Sequence, residues 1–183
     1  MRVERTFLFA DLTGFTNYTA SNGDDAAGRL LGEFRANTRR LASDVGVRVA
    51  KWLGDGCMAV SVGQEGVIAF ALDLARESSV ACAPLAVRIG AATGLALLFE
   101  GDDYIGSAVN LAARLCDVAG PGEVLFPAEQ ATDLPTGVGA IPHGVVDLRG
   151  FPEPVPVVNL SGAPVARGHH DTGELWTRSP FVA

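Results

Sequence analysis

Residues 45–62 read VGVRVAKWLGDGCMAVSV. Two β-rich runs, Val45 to Leu53 and Cys57 to Val62, flank Gly54-Asp55-Gly56, which is the chemistry of a tight hairpin turn. The runs are therefore expected to pair antiparallel. Upstream, Arg5 to Asp11 (RTFLFAD) is a short apolar strand ending in a carboxylate, and the turn-like Thr13-Gly14-Phe15-Thr16 follows it and opens a helix. From Asp24 to Asp44, Ala27, Leu30, Leu31, Phe34, Thr38 and Leu41 recur at three and four with charges between them, as an amphipathic helix requires.

Downstream, Gly66 to Arg76 reads as a second helix, Leu85 to Thr93 as a central strand, and Leu95 to Phe99 as a further short strand. The order β-α-β-β-α-β predicts an α+β fold with a ferredoxin-like core, an antiparallel sheet with helices on one face. Ser107 to Ala119 forms a third helix stopped by Gly120-Pro121-Gly122, and short extra strands run on to about residue 160. Residues 1–160 are expected to form one domain. Residues 161–183, with His169 and His170, show no period and read as a C-terminal tail.

The composition of the 183-residue chain narrows the function. It is 48% hydrophobic and 19% charged, enough apolar material for a core without disulfides or a structural metal. A formal charge of −7 disfavours nucleic acid or an anionic membrane as the main partner. No segment reaches the ~18 uninterrupted apolar residues of a membrane span, and the N-terminal residues lead into a strand rather than a signal peptide. Cys57, Cys82 and Cys116 are too scattered for a disulfide framework or zinc site, which suggests a reducing cytoplasm. Lys51 is the only lysine among 14 basic residues, a compact point charge where arginine is the rule.

Four groups of residues carry potential chemistry. Asp11 ends a strand and Asp55 sits in the hairpin turn, and this topology can lay the two side by side. Converging carboxylates need a cation between them, and hard oxygen ligands suit Mg²⁺ or Mn²⁺ bound with a phosphate. Taken singly, Asp11 is equally well explained as a helix cap and Asp55 as a turn residue. Gly14, Phe15 and Thr16 open a helix whose N-terminal amides can face phosphate, although an ordinary strand-to-helix connection explains them too. Lys51 and Asp103, if they meet, match the adenine edge, a donor for a ring nitrogen and an acceptor for the exocyclic amine; the alternative is a surface ion pair. Asn110 and Arg114, four apart on one helix, could orient a sugar and neutralise charge growing on phosphate, or form the polar face of an amphipathic helix.

In order, FADLTGFT (residues 9–16), KWLGDGCMA (51–59) and DYIGSAVNLAAR (103–114) resemble the catalytic domain of class III nucleotidyl cyclases over roughly residues 5–160. The resemblance implies an adenylate cyclase that converts ATP to 3′,5′-cyclic AMP and pyrophosphate with two Mg²⁺ or Mn²⁺ ions per site. It assigns Asp11 and Asp55, with the backbone carbonyl of Leu12, to the metals. Lys51 and Asp103 would read adenine, Asn110 would orient the ribose, and Arg114 would stabilise the pentavalent phosphorus. It further implies a head-to-tail homodimer with two shared sites. Many relatives carry a longer, partner-gripping segment where Leu95 to Asp102 stand here, and a triphosphate-contacting Lys where this chain offers Arg149. The competing readings are a catalytically silent cyclase-homology module and another two-metal phosphoryl-transfer enzyme.

Overall fold

The computed structural model describes residues 2–99 and 103–162; most of the tail, including His169 and His170, lies outside them. In chain order the elements are β1 (Arg2–Leu12), α1 (Phe15–Asn22), α2 (Asp24–Asp44), β2 (Arg48–Leu53), β3 (Gly56–Ser61), α3 (Gln64–Ala81), β4 (Val87–Phe99), β5 (Asp103–Ile105), α4 (Ser107–Val118), β6 (Val124–Pro127), β7 (Val138–Val146) and β8 (Val155–Gly162). The strands form one sheet in the order β2-β3-β1-β4-β6-β8-β7, with β5 added to β4. The expected α+β class and βαββαβ core are present.

β1 is central and alternates as a two-sided strand must. Leu8, Ala10 and Leu12 join the main core with Leu30, Phe34 and Leu41 of α2 and Val67, Ile68, Phe70 and Leu74 of α3. Phe7 faces the other way, with Met58, Val60, Ala92 and Ala96, onto Ala108 and Ala112 of α4. The three- and four-residue spacing in α2 thus becomes a buried stripe: Ala27, Leu30, Phe34, Thr38 and Leu41.

Within the βαββαβ core the strands β2-β3-β1-β4 are antiparallel and α2 and α3 share one face, as expected. Two expectations need correction. The sheet as a whole is mixed, because β6 joins β4 in parallel. A parallel neighbour requires a crossover, and α4, beyond that core, supplies it and covers the opposite face. Finally, Leu85–Thr93 and Leu95–Phe99 are not two strands but the single β4, paired with β1 from Leu12↔Val87 to Arg2↔Leu97. Gly94 reads as a break in sequence, yet it lies within β4, where an added Cβ would come within 3.0 Å of Ala108 Cβ. At Gly90 a Cβ would meet the backbone of Cys116 at 2.1 Å. Both glycines let α4 lie directly on the strand.

Candidate active site

Asp11 sits at the end of β1, with Gly56 of β3 as its register partner on one side and Arg88 of β4 on the other. Asp55 occupies the β2–β3 turn, and its carbonyl accepts a 3.3 Å hydrogen bond from Leu12 N–H. Asp55 thus stands in the turn beside the Asp11 end of β1, close enough for its carboxyl to feel the Asp11 charge. Burial raises the Asp55 pKa above its ordinary value; its own backbone hydrogen bond opposes this, and the neighbouring Asp11 charge adds to the rise.

A cation is already present at this corner. Arg88 donates through Nε at 3.0 Å and Nη2 at 2.6 Å to Oδ2 of Asp11, and its Nη1 donates to the carbonyl of Asp117 at 3.0 Å. Asp11, Leu53, Gly56, Arg88, Cys116 and Asp117 help line a cleft of about 290 Å³. Burial pushes the Cys116 thiol up to about 12, so it stays protonated and is no soft ligand. Asp11 lines this cleft and Asp55 stands in the adjoining turn, so the donors on offer are hard carboxylate oxygens of the kind a divalent cation takes. Among the described residues, no cluster of three or more His, Cys, Asp or Glu is gathered around a metal position. The Leu12 side chain is buried in the core, so only its backbone is available as a ligand.

Thr13 differs from the expected phosphate-facing turn. Its N–H and its hydroxyl both donate to Ala86 O, at 2.9 and 2.8 Å. The opening of α1 falls to Gly14, Phe15 and Thr16. Gly14 precedes the helix with φ 79°, the left-handed region where glycine carries no Cβ penalty. Phe15 packs against the core, while Gly14 and Thr16 are exposed.

Lys51 of β2 and Asp103 of β5 meet: Lys51 Nζ donates to Asp103 Oδ1. Fifty-two residues and three intervening strands of the sheet separate them. Both side chains are about half exposed, so their polar edges stay accessible to a ligand. On α4, Asn110 is exposed one turn before Arg114, and Arg114 Nη1 donates to Asp117 Oδ2 at 2.6 Å.

Residues 3–154 match the adenylate and guanylate cyclase catalytic domain family. The chain belongs to this cyclase family. An uncharacterized protein of Mycobacterium tuberculosis (strain H37Rv) is 39% identical over 159 residues, covering 87% of this chain and 42% of its own length. This chain therefore spans less than half of that relative. An adenylate cyclase of Glutamicibacter nicotianae is 32% identical over 130 residues, 71% of this chain and 32% of that protein. The adenylyl cyclase CyaB of P. aeruginosa shares the fold, with a TM-score of 0.78 at 23% identity over 92% of this chain and 98% of that one.

In this cyclase domain, Arg88 is the residue sequence reading passed over. Its signal was a single charge inside LAVRIGAAT, an otherwise apolar central strand. Arg149, the basic residue the sequence offers where many relatives carry a triphosphate-contacting Lys, is exposed in the connection between β7 and β8. Among the described residues, no helix is long and apolar enough to cross a membrane.

Proposed function

We propose that this cyclase domain, residues 1–160, is an adenylate cyclase that converts ATP to 3′,5′-cyclic AMP and pyrophosphate in a head-to-tail homodimer. The contact between Lys51 and Asp103 carries the choice of base. Paired, these side chains offer a donor beside an acceptor, complementary to adenine N1 and its exocyclic amine and mismatched to guanine N1–H and O6. ATP as substrate and three free, buried cysteines fit a cytoplasmic setting.

Asp11, Asp55 and the Leu12 carbonyl would hold two Mg²⁺ or Mn²⁺ ions. Bound there, the ions would lower the pKa of the ribose 3′-hydroxyl and neutralise the triphosphate for in-line attack on the α-phosphorus. The protein's own residues do the positioning. With Asp11 given over to a metal, the Arg88 guanidinium, which lines the same cleft, would be available to phosphate oxygens. Gly14, Phe15 and Thr16 present the start of α1 to the triphosphate. Asn110 orients the ribose and Arg114, from the partner chain, stabilises charge on phosphorus; such positioning and electrostatics supply most of the rate in phosphoryl transfer. The test is purified protein with Mn²⁺ and either ATP or GTP. Cyclic AMP from ATP alone is the expected product. Bound nucleotide without turnover would identify a silent module, and a linear or dinucleotide product another two-metal enzyme.

A further inference from the structure

On the face of the sheet away from α4, α2 reaches the end of β2 through two arginines. The guanidinium carbons of Arg35 and Arg39 lie 5.1 and 5.0 Å from the centroid of the Trp52 indole. Phe34 meets the same ring edge-on at 6.4 Å. The two arginines differ in one respect. Arg35 also donates Nη2 to the carbonyl oxygen of Gly54 at 3.0 Å, one residue before Asp55.

Arg35 therefore grips the chain on both sides of Leu53, by stacking on Trp52 and by a charge-assisted hydrogen bond to Gly54. Only a planar, multidentate cation can do both at once. Gly54 has φ 67°, a left-handed conformation in a residue without a side chain, so the turn has little steric stiffness of its own there. Arg35 also keeps its Nε buried without a partner among the described residues.

We propose that Arg35 is a positioning residue for Asp55: through Trp52 and the Gly54 carbonyl it holds the β2–β3 turn so that the Asp55 carboxylate stays aligned with Asp11 for a divalent cation. The proposal rests on the reading of Asp11 and Asp55 as the metal pair. Arg39, which stacks without reaching the turn, is the internal control. Loss of an outer-shell partner costs about tenfold or more in metal affinity, and that is the effect expected here.

The experiment titrates Mn²⁺ into nucleotide-free protein and follows free Mn²⁺ by electron paramagnetic resonance. A Trp176→Phe background leaves Trp52 as the sole tryptophan, so its emission reports the turn in parallel. Arg35→Met, which keeps an apolar stem over the indole, is expected to raise the Mn²⁺ midpoint about tenfold, with Arg39→Met moving it by less than about threefold. Arg35→Lys retains charge and length and provides a second variant should Arg35→Met fold poorly; it too is expected to weaken Mn²⁺, because an ammonium cannot stack and donate together. An unmoved midpoint in the folded Arg35 variants, or an equal shift in Arg39→Met, overturns the proposal. Asp55→Asn separates the two levels. If it binds Mn²⁺ as the parent does, the metal reading falls and the role of Arg35 with it. If Asp55→Asn loses Mn²⁺ while the Arg35 variants do not, the role of Arg35 falls alone.

Discussion

Arg88 donates two hydrogen bonds to a single oxygen of Asp11, at 3.0 and 2.6 Å, from the directly paired position on the neighbouring strand. Both side chains are roughly three-quarters buried, 29% and 27% exposed. The carboxylate proposed to take a metal thus has an internal cation as its resting partner, which offsets its repulsion with Asp55.

Removing that partner gives the first prediction. Arg88→Ala leaves Asp11 unpaired beside Asp55, at a cost of about 2 kcal/mol, or roughly 4–8 °C in Tm for a chain of this size. Mn²⁺ then meets no competitor at Asp11, so it is expected to raise the Tm of Arg88→Ala more than that of the parent. Differential scanning calorimetry with and without Mn²⁺ checks both. Equal Mn²⁺ shifts would show that Arg88 and the metal do not share Asp11.

The same ion pair separates the two aspartates as mutational targets. Asp55→Ala removes a ligand and relieves like-charge repulsion, so it is expected to abolish cyclisation with the fold intact. Asp11→Ala is also expected to abolish cyclisation but orphans the largely buried Arg88, and its Tm is expected to fall below that of Asp55→Ala. Cyclic AMP assays beside thermal melts distinguish the two. Full turnover in either variant at saturating Mn²⁺ would remove the metal assignment.

Asp55 also sets an acid limit. Its pKa is raised, by burial first and by Asp11 as a lesser cause. A carboxylate with a raised folded pKa favours the folded state below its unfolded pKa, near 3.8, and that contribution is lost as pH rises through the folded value. Metal binding has the opposite sign, because it needs the ionised form. Mn²⁺ affinity is therefore expected to fall by about tenfold per pH unit once pH drops below the Asp55 pKa. Asp11→Asn removes one cause of the rise and is expected to move the Asp55 titration to lower pH. Carboxyl NMR titration of metal-free protein reads this directly; an unmoved Asp55 midpoint would show that the two groups do not interact.

What could be read before any coordinates depended on whether the deciding contact was local. The hairpin around Gly54-Asp55-Gly56 and the stripe from Ala27 to Leu41 carry their own turn chemistry and period, and both stand in the structure. Gly94 misled because a glycine that admits a helix against a strand looks, in one dimension, like a glycine that ends the strand. Arg88 and Arg35 stayed hidden for a related reason. Each is defined by a partner 77 or 19 residues away, and nothing in the spacing of an isolated arginine names that partner. The Lys51 and Asp103 contact was legible only as a conditional, since β5 had to be laid on β4 before the two could meet.

The proposed base choice rests on that contact. Guanine would face Lys51 with a donor and Asp103 with an acceptor, and polar groups left unpaired once a bound base covers them cost roughly 1–3 kcal/mol each. Two such mismatches predict on the order of 10²-fold to 10⁴-fold preference for ATP over GTP in kcat/KM. Lys51→Glu is expected to cripple ATP use, and adding Asp103→Cys to narrow the preference. If Lys51→Ala leaves the ATP-to-GTP ratio unchanged, these residues do not read the base.

The last prediction concerns the sharing of one site between two chains. Within a single chain, Arg88 ties Asp11 to the Asp117 carbonyl, and the Asp117 carboxylate holds Arg114 at 2.6 Å. The groups proposed to hold the metal and to stabilise phosphorus therefore lie near each other, yet in the chain alone Arg114 is turned onto Asp117. A head-to-tail dimer would present Arg114 and Asn110 to the partner's Asp11 and Asp55 instead. Mixing inactive Asp11→Ala with inactive Arg114→Ala is then expected to restore activity, because one of the two sites in each mixed dimer holds every working residue. With random pairing, half of the dimers are mixed and each has one complete site of two, so recovery approaches about a quarter of parental turnover, within the few-fold limits of such additivity. Cyclic AMP production across a series of mixing ratios, with mixed dimers verified by native mass spectrometry, gives the readout. Background activity in the presence of mixed dimers would mean that each site is complete within one chain, and that Arg114 serves the same Asp11 it is joined to through Asp117 and Arg88.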